Sequence, residues 1–156
     1  MNIAVVPGRS SKAFAQTFGP DMTAERIADF YYAYWYGALE AEHRERSEFA
    51  DMVRRGELIC SAVWQSGDLK FMWGNHCLRG IDGPYVRILF AMGEVNAAVM
   101  RAAVRETVSV GRTWNFINGY GGEPKIWIAD RHDWPKKMRR LGVTVDPDGW
   151  IERGVL

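Results

Sequence analysis

The feature that most constrains this chain is a strand, helix and strand succession in its C-terminal half. The run Tyr85 to Met92 carries apolar residues on both alternating faces, so a strand there reads as central in a sheet and covered on both sides. Gly93 ends it. From Val95 to Val110 the apolar positions, spaced at about 100° per residue, cover nearly the whole circumference of a helix and leave Arg101 and Arg105 as its main polar stripe. Such a helix is expected to be covered on more than one side. Arg112 to Gly122 reads as less regular, ending in the glycine-rich loop Asn118 to Gly122, and Lys125 to Ala129 is a second short strand. Asp133 is placed to cap a helix with Pro135 in its first turn, where the missing N–H costs little, and Gly142 stops it.

The N-terminal half supplies the rest of the sheet. Ile3 to Val6 reads as a short strand, broken by Pro7 to Ser11 and followed by an irregular stretch to Gly19-Pro20. Asp21 or Thr23 caps a long helix that persists to about Leu39, with Glu40 to Arg46 as a charged continuation. Ser47 starts a second helix that Gly56 ends. Leu58 to Gln65, the turn Ser66-Gly67-Asp68, the alternating Leu69 to Trp73, the loop Arg79 to Pro84 and Tyr85 to Met92 predict a three-strand antiparallel meander. Asp146-Pro147-Asp148-Gly149 is a turn between Val143 to Val145 and Trp150 to Glu152, which predicts a terminal hairpin.

Composition narrows the class. The 156 residues, 47% of them hydrophobic, suit one α/β domain over 1–156 with helices on both faces of a mixed sheet. Twenty basic against nineteen acidic side chains give a formal charge of +1, which argues against a general pull toward nucleic acid. Cys60 and Cys77 fit neither a zinc site nor a disulfide scaffold, and no stretch reaches the roughly 20 apolar residues that span a bilayer. The expected location is a cytoplasm. Seven Trp among 13% aromatic residues are more large apolar surface than one small core requires, so part of it is expected to meet a protein partner.

In order, the strand, two helices, meander, helix, strand, helix and hairpin resemble the GNAT (GCN5-related N-acetyltransferase) fold over essentially the full chain. In that family an Arg/Gln-x-x-Gly-x-Gly/Ala loop lays the pyrophosphate of acyl-CoA on amides opening the helix after the meander, where free donors and the dipole favour an anion. The corresponding residues are Met92 to Ala98, with one glycine, no leading Arg or Gln, and Glu94 placing a carboxylate where the pyrophosphate would lie. A tyrosine that protonates the departing thiolate often lies on the family's later helix. Here Trp134 to Leu141 carries none, although the Leu141-Gly142 ending matches.

The resemblance therefore implies a vestigial, non-catalytic GNAT-like protein that uses no cofactor and acts through contacts with other protein subunits. Thr113 to Ile117 and the Lys-Arg-Leu-Gly helix are similar to the internal virion proteins of T7-like phages, which implies a virion or assembly component present in the host cytoplasm and the particle. The alternative is an acyl-CoA-dependent N-acyltransferase. Gly93, Asn96 and Ala97 would then bind acetyl-CoA, and Glu94 or His132 would move the proton. A third reading is nucleic-acid binding through Lys136 to Arg140.

Other constellations have two readings each. On the first helix Ile27, Tyr31, Tyr34, Trp35 and Ala38 form a core stripe, whereas Tyr32 and Tyr36 share the opposite face with Glu25, Asp29, Glu40 and His43 and are the candidate interface. Lys136, Lys137, Arg139 and Arg140 suit either a phosphate or a solvated helix end. His76 and Cys77 are adjacent on a strand and point to opposite faces, which argues against a nucleophile and base pair. Asp130, His132 and Asp133 form one short cluster without a remote ligand, so no metal is expected.

Overall fold

The computed structural model describes residues 12–19, 22–41, 46–128 and 133–152, with side chains omitted for 34–41. Residues Ala13–Thr17 form β1, Ala24–Ala41 α1, Arg46–Arg54 α2, Leu58–Gln65 β2, Asp68–Gly80 β3, Gly83–Gly93 β4, Ala97–Ile117 α3, Lys125–Trp127 β5 and Trp134–Arg140 α4. The sheet runs β1-β2-β3-β4-β5, antiparallel except for the parallel β4–β5 pair.

The predicted meander is present, and its turns follow local chemistry. Ser66 and Gly67, at φ 52° and 83°, make the tight connection whose twist matches that of the flanking strands. The second hairpin is longer than expected: β3 and β4 pair as far as Gly80 and Gly83, so the predicted loop 79–84 shrinks to Ile81-Asp82. The expected first strand, Ile3 to Val6, lies outside the described residues. The stretch read as irregular instead supplies β1, held by the cross-strand pair Phe14 and Trp64, whose rings stack at 5.9 Å.

Each face of the sheet buries a different set of helices. Thr23 caps α1, its Oγ1 accepting the Arg26 amide at 3.2 Å. Ile27 and Tyr31 of α1 and Phe49 of α2 pack on Leu58, Cys60, Ala62, Met72, Phe90 and Met92. Tyr31, Phe49 and Phe90 meet with ring centroids 5.3 to 5.6 Å apart. The opposite face, with Val63, Phe71 and Trp73, packs against Val99 and Ala103 of α3. A separate side of α3, through Met100, Val104 and Val108, buries Met138, Val143 and Val145 from the C-terminal segment. The helix is thus covered on two sides, as its apolar circumference predicts. It also continues through 111–117, which the sequence reading left irregular. Gly111 is the reason the extension fits: a Cβ there would lie 2.5 Å from Pro124 and 3.0 Å from Val86.

A polar ladder crosses the core beneath α3. The Thr17 hydroxyl meets Ser61 Oγ at 2.9 Å and donates to Glu106 Oε1 at 2.7 Å. Asn75 Nδ2 donates to Ser61 Oγ at 3.0 Å and to the Ile59 carbonyl at 2.8 Å, while its Oδ1 accepts the Trp73 indole N–H at 2.9 Å. From the other face Tyr31 donates to the carbonyls of Ser61 and Trp73 at 3.1 and 2.9 Å. Slipping β2 against β3 by one residue would break both bonds from Asn75 to β2 and part the two carbonyls that Tyr31 joins, so these bonds hold the register.

Two predictions follow from this burial. Asn75→Ala removes an acceptor and a donor at once and is expected to cost about 1–3 kcal/mol. A urea midpoint equal to that of the parent chain would contradict the ladder. Burial pushes the Cys77 thiol up to about 12, and raises Cys60 and the Tyr31 hydroxyl well above their usual ranges too. An unfolded thiol titrates near about 8.5, so above that pH the unfolded state sheds protons that the folded state keeps, and stability falls as pH rises. The fall is expected from about pH 9 upward, and to be shallower in the Cys60→Ala, Cys77→Ala variant; equal slopes would contradict the buried-thiol account.

Candidate functional site

The loop expected to hold the pyrophosphate, Met92 to Ala98, follows a fork where β4 and β5 part. Their pairing covers only Tyr85 to Arg87 against Lys125 to Trp127. Immediately beyond it β4 carries a bulge: Asn75 faces Ile88 and Gly74 faces Phe90, leaving Leu89 as the extra residue. A bulge bends its strand and increases the twist, which turns the rest of β4 away from β5. The far edge of β5 is taken by the C-terminal segment, through Ile151 N–H to the Ile126 carbonyl at 3.0 Å and Ile128 N–H to the Gly149 carbonyl at 2.9 Å.

Side chains fill the fork. Trp134, the first residue of α4, sets its ring 5.4 Å from that of Phe71 on β3 and packs against the cores on both sides of the gap. Lys137 lies over the outer face of the same indole at 5.3 Å. With Ile88, Ala91, Met100 and Ile128 completing the walls, about 40 Å³ of apolar space remains. A water needs about 10–15 Å³ of such space, so this is room for a few waters at most.

The residues expected to hold pyrophosphate have structural partners. Gly93 sits at φ 122°, and a Cβ there would be 2.2 Å from the Lys70 carbonyl. Lys70 is the extra residue of a bulge in β3, since Val63 faces Phe71 and Trp64 faces Leu69. Its carbonyl accepts the Glu94 amide at 2.7 Å. The single glycine of the loop is thus demanded by a strand contact. Asn96 is the N-cap of α3: its Oδ1 accepts the Val99 amide at 3.0 Å, and its Nδ2 donates to Gln65 Oε1 at 2.8 Å. One donor that an anion would use is therefore occupied. Ala97 opens the helix, half-buried. The Glu94 carboxylate is 89% exposed, 4.0 Å from Lys70 Nζ, two residues before the N-cap of α3. These residues do not fit an acyl-CoA. The apolar space behind Trp134 is too small for an acyl-pantetheine arm, the groove of about 640 Å³ beside Lys70, Gly93 and Glu94 is separate from it, and the helix end presents a carboxylate with one amide already capped.

The remaining candidates fall as follows. His132, Asp130 and the side chain of Tyr36 lie outside the described residues. Tyr32 is half-buried against the core shared by α1 and α2. The polar face of α1 is where α2 docks, through the ion pairs Glu25 with Arg54 and Asp29 with Arg46. Asp133 precedes α4 with helical backbone angles, φ −93° and ψ −18°, and makes no side-chain cap bond. The capping expectation there is corrected: a capping oxygen needs an extended backbone to reach the first-turn amides. Arg139 is not simply solvated, because its guanidinium donates to the Val145 carbonyl at 3.0 and 3.1 Å and ties α4 to the C-terminal turn. Cys77 is buried against Val86 and Val110 while His76, half-buried, takes the other face. Among the described residues no group of His, Cys, Asp and Glu could hold a metal ion, and no helix is long and apolar enough to cross a membrane. Trp134 was missed from sequence. The only signal was a large aromatic at the start of a helix otherwise rich in charge.

Trp134→Ala is expected to cost roughly 3 kcal/mol, because its indole packs against the cores on both sides of the gap. A chemical-denaturation curve shifted by less than a fifth of that would mean the indole is not a packing element.

No family model matches the sequence, and no curated protein matches it. Among solved structures the chain is similar to an aminoglycoside acetyltransferase, meta-AAC0020, from an uncultured soil metagenomic sample, with TM-score 0.50 and 6% identity over 82% of this chain and 85% of that one. It is similar also to the aminoglycoside acetyltransferase HMB0005 from an uncultured soil metagenomic sample, with TM-score 0.50 and 10% identity over 86% and 93%. An acetyltransferase of the GNAT family from Streptococcus pneumoniae matches with TM-score 0.48 and 10% identity over 86% of each chain. At such identities the first two likenesses are of fold, and they agree with the element order: the architecture is α/β, with the fold of these two aminoglycoside acetyltransferases.

Proposed function

We propose that this chain is a GNAT-like scaffold that works through protein contacts and does not transfer acyl groups. The observation that carries the reading is the filled fork, where Trp134 against Phe71 leaves about 40 Å³. The capped and carboxylate-bearing end of α3 supports it independently. Surface is available for contacts: Phe116 and Ile117, at the C-terminal end of α3, are largely exposed. Those two residues belong to the Thr113 to Ile117 segment whose similarity to internal virion proteins supports the finer reading, a component of a tailed-phage particle or of its assembly.

Acyl-CoA-dependent N-acyl transfer is the second reading, favoured by the fold and by the β4 bulge beside an open strand edge. In it Glu94 is the base within the described residues, with His132 beyond them. Calorimetric titration with acetyl-CoA separates the two. The scaffold reading predicts no saturable heat at millimolar cofactor, in the parent chain and in Glu94→Gln alike. Micromolar binding by the parent would overturn it, and loss of turnover in Glu94→Gln or His132→Ala would then identify the proton carrier.

A further inference from the structure

Three aromatic side chains converge at the end of the sheet away from Gly93. Tyr85 near the start of β4 and Trp150 of the C-terminal segment meet edge to face at 5.6 Å, and Trp127 at the end of β5 lies 6.0 Å from Trp150 with the rings 33° apart. Their neighbours Val86 and Ile126 are buried, so strand alternation turns Tyr85 and Trp127 to the other face of the sheet. With the hairpin tip at Ile81-Asp82 and the turn at Asp146, they wall a groove of about 1010 Å³. That volume is at the upper end of small-ligand sites.

The wall is set before any ligand arrives. The Trp127 indole N–H donates to the Asp148 carbonyl at 2.9 Å, and Asp146 Oδ1 accepts the amides of Asp148 and Trp150, both at 2.9 Å. Holding the rings in place removes an ordering cost from binding. The polar groups of the groove, in contrast, are uncommitted. The Asp82 carboxylate, the Lys125 ammonium, the Tyr85 hydroxyl and the Trp150 indole N–H make no hydrogen bond or ion pair among the described residues.

The charge pattern selects the ligand. The lining carries three carboxylates, Asp82, Glu123 and Asp146, and these are balanced by Lys125, by Arg112 hydrogen-bonded to Glu123 and by Arg87 beside Trp127. Arg87 lies over the Trp127 ring at 5.7 Å, which takes up the cation–π capacity of one face. A strongly charged molecule of either sign is therefore disfavoured. We propose that the groove binds a neutral oligosaccharide. The C–H face of a sugar ring lies on the exposed aromatic surface of Trp150 and Tyr85, and its hydroxyls, each both donor and acceptor, meet Asp82, Lys125, the Tyr85 hydroxyl and the Trp150 N–H. None of these residues lies in the β4–β5 fork, so the inference stands apart from the scaffold reading.

The test is an NMR titration that follows the tryptophan indole N–H resonances with maltotriose, cellotriose and chitotriose. At least one trisaccharide is expected to shift the Trp150 resonance saturably, and Trp150→Ala to weaken binding by about tenfold or more. Should Trp150→Ala fail to fold, Tyr85→Phe and Asp82→Asn, both at surface positions, are each expected to weaken binding severalfold with an unchanged melting temperature. No saturable shift with any of the three at millimolar concentration would overturn the proposal. So would affinity unchanged across the variants, or concentration-dependent self-association that shifts the same resonance without sugar.

Discussion

The structure turns on how little of β4 pairs with β5. Three residues of parallel ladder, from Tyr85 to Arg87, are all the backbone pairing that joins β5 to the meander, and the bulge at Leu89 lies just beyond their end. A fork opened in this way exposes apolar wall and unpaired backbone, which must be covered by a ligand or by the chain itself. Here the chain supplies the cover. Trp134 arrives on α4, is backed by Phe71, and is tied down by Lys137 over its ring and by Arg139 to the Val145 carbonyl. Gly111 against Pro124 lets α3 come close enough to press on the sheet where β4 and β5 do pair.

On the proposed scaffold reading, the same arrangement explains why a likeness in fold need not carry an activity across. Element order fixes where helix and strand lie, whereas acyl transfer needs a space, free donors and a proton carrier at set positions. At the end of α3 the donors are partly spent on Asn96, and the loop glycine answers to the Lys70 bulge of the neighbouring strand. Both are satisfied within the protein. Charge compounds this, since the exposed Glu94 carboxylate lies two residues before the N-cap of α3, the end whose dipole favours an anion.

Much of the fold was legible because local chemistry and tertiary role agree. Gly56 and Gly142 end helices at φ 72° and 90°, Ser66-Gly67 turns a hairpin, and the all-round apolar helix is covered on two sides. The misses share a cause. β1 is defined by Phe14 stacking on Trp64 and Thr17 meeting Ser61, 44 residues away, and nothing within Ala13 to Thr17 announces that. The last turns of α3 looked broken at Gly111 because the reason for that glycine is a proline 13 residues on. The site was least legible of all. A glycine or asparagine before a helix reads as an anion loop until the bulge at Lys70 and the amide of Val99 are seen to claim them. The number of tryptophans is plain in the sequence, but their division between a fork filler and a groove wall depends on contacts that no window of sequence contains.

The central claim is that Trp134 occupies the fork in solution, and nuclear Overhauser contacts between its indole protons and the ring of Phe71 and the methyl groups of Ala91 and Met100 test it most directly. The account predicts strong contacts that persist unchanged in millimolar acetyl-CoA. Their absence in the free protein, or their loss as acetyl-CoA is added, would show a fork that opens for a ligand and would contradict it.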